Sequence, residues 1–60
     1  MAINDLTGKQ IKFEYNGKIR LFVVDKVNET CDTIVGWQIE GEKRIGRQFT
    51  FSKMVSIEVL

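Results

Sequence analysis

From Gln10 to Tyr15 the chain alternates, Ile11, Phe13 and Tyr15 against Lys12 and Glu14, which is the period-two pattern of a strand with one buried face. Asn16-Gly17 follows; both residues tolerate positive φ, and together they predict a two-residue type I′ hairpin turn. The next strand, Lys18 to about Val27, is the longest. It carries apolar residues on both parities, Ile19, Leu21 and Val23 on one side and Phe22 and Val24 on the other. Such a strand is covered on two faces. Either it bends and serves both halves of a small barrel, or the N-terminal segment with Ile3 and Leu6, or a second subunit, covers its outside. Phe22 and Val24 are on these grounds the candidate interface.

The third strand is expected over Thr33 to Ile39, with Val35, Trp37 and Ile39 on one face and Gly36 and Gln38 on the other. Their shared parity makes Trp37 a core residue, its indole N–H in need of a partner. A four-residue turn at Gly41 leads to the fourth strand, Arg44 to Phe51, in which Arg47 shares parity with Ile45, Phe49 and Phe51. Either Gly46 marks a bulge that shifts the register, or Arg47 stands at the mouth of a barrel with its stem buried. Ser52-Lys53-Met54 suits a single 3₁₀ turn, and Val55 to Leu60 the last strand, with Val55, Ile57 and Val59 inward. Val, Ile, Thr and the aromatics make up more than a third of the chain, a mixture that favours strands over helices. The order of elements predicts an all-β fold, a five-stranded antiparallel small barrel of SH3-like or Sm-like type with a short 3₁₀ turn before the last strand. Residues 1–9 are an N-terminal segment, and residues 10–60 the single barrel domain.

The composition removes several kinds of chemistry. With 60 residues, no His and one Cys, there is no imidazole base, no Ser-His or Cys-His pair, no zinc site and no intramolecular disulfide. The expectation is a protein without catalytic residues, metal or cofactor. Asn4 and Asp5 stand where a signal peptide needs an apolar stretch, so the chain reads as soluble and cytoplasmic, without a membrane segment.

Net charge is only +1, yet it is unevenly placed. Lys43, Arg44, Arg47 and Lys53 follow one another with no acid between them, whereas Glu29, Asp32, Glu40 and Glu42 form an acidic stretch before them. A basic strand face with an aromatic ring is how small barrels hold single-stranded DNA or RNA, with cations along the backbone and a ring against a base. The candidate binding residues are Arg20, Arg44, Arg47 and Lys53, with Tyr15 or Phe22 as the ring. Two other readings stay open. One is a protein-interaction module that pairs with a partner or with itself; the other is a sensor of a small anionic ligand held by Arg20 and Arg47.

Ile11-Lys12-Phe13-Glu14-Tyr15 with the downstream Arg20, Gly36-Trp37-Gln38-Ile39, and Arg47-Gln48-Phe49-Thr50-Phe51-Ser52-Lys53-Met54 are similar, in that order, to the opening strand, the signature and the closing segment of WYL domains. The resemblance runs over roughly residues 11 to 59. Gln38 stands where that family has its signature Tyr, and Thr50 where it has a second Arg. The resemblance implies a small SH3-like or Sm-like barrel of bacterial or bacteriophage type, with Trp37, Ile39, Phe49 and Phe51 in its core and a role in sensing a ligand or nucleic acid.

Overall fold

Asn16 and Gly17 take φ values of 52° and 77°, and this turn sets Tyr15 against Lys18, Phe13 against Arg20 and Ile11 against Phe22. Residues paired across an antiparallel ladder share a face. The turn therefore puts Arg20, Phe22 and Val24 on the side of Ile11, Phe13 and Tyr15. Three aromatic rings, Phe13, Phe22 and Phe49, then meet edge to face with centroids 5.2 to 6.1 Å apart.

The structure is a computed structural model and describes residues Ala2–Leu60. Five antiparallel strands form one sheet: β1 (Gln10–Tyr15), β2 (Lys18–Asn28), β3 (Thr33–Glu40), β4 (Lys43–Thr50) and β5 (Val55–Val59), in the spatial order β4-β3-β2-β1-β5. Two 3₁₀ turns, Ile3–Leu6 and Phe51–Lys53, complete the chain. No α-helix occurs among the described residues, and none of their helical segments is long and apolar enough to cross a membrane.

The sheet is curled but not closed, since its edges β4 and β5 share no ladder. Laid flat, five strands would hold those edges about 19 Å apart. The connection from Thr50 to Val55 spends three residues in a 3₁₀ turn, rising only about 2 Å per residue, and so draws the edges together. Two bulges add curvature. Asp25 is unpaired between Val24 opposite Gly36 and Lys26 opposite Val35, which bends β2. In β5, Ser56 and Ile57 face the single residue Phe13, with Ser56 at a φ of 55°.

The N-terminal segment caps the concave side. Gly8 N–H donates to the Val24 carbonyl, and Val24 N–H to that of Lys9, both at 2.9 Å. This lays Ile3 and Leu6 over Phe22 and Val24. The core consists of these four with Ile11, Phe13, Ile34, Phe49 and Met54.

Several expectations are corrected. Phe22 and Val24, expected as the interface, are core residues covered by the N-terminal segment. On β3 the two faces are exchanged: Ile34, Gly36 and Gln38 are buried, whereas Val35 and Trp37 are 42% and 41% exposed. The cause lies at Gly36, where a Cβ would overlap the carbonyl oxygen of Val23. The backbones of β2 and β3 come so close there that only glycine fits inside. Val55 is exposed because the Ser56 bulge turns it to the side of Glu14, and Val59, level with Ile11, is left half-uncovered at the sheet's edge. The fourth strand begins and ends one residue earlier than expected, and the second 3₁₀ turn starts at Phe51.

Candidate functional site

Four of the residues singled out in the sequence converge on the concave side, where Phe49 meets solvent-facing cations. The guanidinium of Arg20 lies 5.3 Å from the Phe49 ring centre and 5.9 Å from that of Tyr15; the guanidinium of Arg47 lies 5.4 Å from the same Phe49 ring. All of these contacts are within cation–π range. They follow from register: Arg20 is level with Phe13 through the hairpin, and Arg47 is on the same face of β4 as Phe49. No bulge is needed at Gly46, because β3 and β4 pair without a register shift from Thr33 opposite Thr50 to Glu40 opposite Lys43. Arg47 is exposed on the concave side, its stem not buried as at a barrel mouth, and only its guanidinium reaches the Phe49 ring.

Arg20 is anchored by a short polar chain. Its Nη1 donates to Gln38 Oε1 at 3.1 Å, and Gln38 Nε2 donates to Glu40 Oε1 at 2.7 Å. Gln38 is the one polar residue in the buried set, and these bonds explain why it is tolerated there. Arg20 Nε is buried with no hydrogen-bond partner among the described residues. A guanidinium held this way has an unused N–H, and charge in a partly desolvated setting attracts an anion more strongly than on the open surface.

Tyr15 closes the cluster at its other side. Its hydroxyl accepts the backbone N–H of Thr50 at 3.3 Å, joining β1 to the end of β4 at a point where no ladder does. That bond holds the phenol below its ordinary 10.0; the charges of Lys53 and Arg20 push the same way, while burial opposes. Lys53 thus belongs to the electrostatic surroundings of Tyr15. Arg44 does not belong to the cluster, because it pairs with Ile39 and lies on the opposite, convex face of β4.

Compared with protein-family models, curated proteins and solved structures, the chain matches none.

Two features escaped the sequence reading. Gln38 and Glu40, the anchor of Arg20, are found only once Gln38 is known to face inward. Trp37 was expected inside and is instead the exposed ring of the convex face, with Val23 on one side and Gly46 on the other. Both follow from pairing: the Asn16-Gly17 register makes Arg20, Phe22 and Val24 inner residues of β2, and Gln38 and Gly36 lie opposite Phe22 and Val24. Two surface depressions lie elsewhere, one between β1 and β5 beside Ser56 and Ile57, the other beside Cys31 and Gln48. The first is lined by Lys12, Glu14 and Glu58 and the second by uncharged groups beside Lys26; neither gathers cations and aromatic rings as the arginine cluster does.

Proposed function

We propose that this chain is a non-enzymatic binding module for single-stranded nucleic acid, with Arg20, Arg47 and Lys53 receiving backbone phosphate beside Tyr15. The observation that carries the reading is the pair of guanidiniums on one Phe49 ring. Two like charges over one ring repel each other, and a phosphate between them relieves that repulsion. The free edge of β4 supports the same reading, since Lys43, Arg44 and Arg47 follow along it with no acid. The curled five-stranded sheet also fits an SH3-like or Sm-like barrel, and the likeness to WYL domains agrees with a sensing role for these positions.

The test is fluorescence anisotropy of a labelled single-stranded oligonucleotide over a range of salt. Binding should weaken steeply as salt rises, and Arg47→Ala should weaken it about tenfold and lower the salt slope by about 1. No binding at low salt, or an affinity that ignores salt, would overturn the reading.

A second reading, a small phosphate- or carboxylate-bearing ligand at the same cluster, is favoured by the convergence of the Arg20 and Arg47 guanidiniums on one ring. It predicts that the small anion alone raises the melting temperature, and that Arg47→Ala abolishes that rise without loss of stability.

A further inference from the structure

The edge strand β4 shows different chemistry on its two sides. Arg47 belongs to the concave cluster, whereas Arg44 and Gly46 belong to the convex face, level with Ile39 and Trp37 of β3. Trp37 lies one strand in from the edge, and the residue between it and open solvent is a glycine. A Cβ at Gly46 would meet nothing within 4 Å, so the Trp37 ring does not lie over this neighbour and its approach from the edge is open. A glycine in a strand interior costs β-propensity and often marks a close approach by another group. At Gly36 that group is the β2 backbone; at Gly46 the chain itself provides none.

Charge narrows what could enter. On the convex face β3 and β4 place Arg44 and Gln48 around Trp37 and no carboxylate. A second copy would bring the same cations, Lys43, Arg44 and Arg47, to its own β4 edge, while a polyanion coming over this edge meets Arg44 and no carboxylate of β3 or β4. Arg44 and Arg47 are roughly 10 Å apart along the strand, close enough for one flexible strand of nucleic acid to touch both.

We propose that Trp37 is a base-stacking platform for single-stranded nucleic acid, reached over the β4 edge through the notch at Gly46, with Arg44 on the adjoining phosphate. The proposal rests on the reading of the Arg20–Arg47 cluster as the phosphate site, and adds a second contact on the other face of the sheet.

Trp37 is the single tryptophan, so its emission reports the contact directly. The experiment titrates the protein with a short oligothymidylate and with an abasic oligomer of equal length, and repeats both with Gly46→Val. Valine suits a strand and meets open space in the monomer, so far-UV circular dichroism should stay unchanged and the melting temperature should not fall. Oligothymidylate should quench Trp37, and the abasic oligomer should bind without quenching. Gly46→Val should abolish the quench and lower affinity for oligothymidylate by about five- to a hundredfold, the worth of one stacked base, with little effect on the abasic oligomer.

Salt-dependent binding that leaves Trp37 emission unchanged would overturn the stacking platform while the phosphate site stands. Equal quenching by the abasic oligomer, or undiminished quenching in Gly46→Val, would overturn it too. Absence of binding by either oligomer would remove both. Sedimentation showing a dimer that dissociates in Gly46→Val would assign the notch to a second copy and overturn the proposal.

Discussion

The phenol of Tyr15 takes the Thr50 N–H across a gap that no strand pairing spans. Removing it leaves a backbone donor without its partner, so Tyr15→Phe should cost about 1 kcal/mol near neutral pH, measured by urea unfolding. The pH dependence has a definite sign. Because the folded phenol ionises below 10.0, the folded state gives up this proton before the unfolded state does. The advantage of the native protein over Tyr15→Phe should therefore grow as pH rises from the folded pKa to 10.0, stay at its full value above that, and shrink again as pH falls back through the folded pKa. Paired unfolding curves in this range check it, and Tyr15, the single tyrosine, can be followed by its own ultraviolet absorbance. A difference that shrinks with rising pH would contradict the assigned bond.

At the scale of elements, the turns were plain in the sequence and the bulges were not. Asn16-Gly17 and Gly41 announce their hairpins through residue types that accept positive φ, and both show it, at 52°, 77° and 61°. The alternation of β1 and the location of all five strands were legible for the same reason. Which face of β3 is buried was not, because Val35, Trp37 and Ile39 outweigh Ile34, Gly36 and Gln38 in apolar area. Local pattern favoured the wrong side; pairing partners decided it. Of the candidate site, Tyr15, Arg20, Arg47 and Lys53 could be named from charge and parity, but their meeting around Phe49 depends on the curl of the sheet. The β5 bulge had no signal, since Ser56 sits at a φ of 55° where glycine is the usual choice. Ser56→Gly should accordingly raise stability by up to about 1 kcal/mol, and a β-branched Ser56→Val should lower it by at least as much, both read from thermal melts.

For the whole molecule, the exchange of faces makes a measurable difference. A chain of 60 residues has about 3 to 9 kcal/mol of stability in all. Phe22→Ala removes a fully buried ring and should cost about 3–5 kcal/mol, leaving much of the protein unfolded at room temperature. Trp37→Ala removes a larger ring from the surface and should cost under about 1 kcal/mol. Urea titrations followed by circular dichroism separate the two, and a large loss at Trp37 would mean that its ring is buried after all. The open edge of the sheet has its own effect on how this protein behaves in company. An unpaired strand is a template for another like it, and proteins guard such strands with charge. On β4 the guards are Lys43, Arg44 and Arg47, the same cations to which a bound polyanion would be drawn. If nucleic acid binds as proposed, neutralising them would lift the mutual repulsion between such edges, and a long strand loaded with many copies would become a scaffold along which those edges could meet.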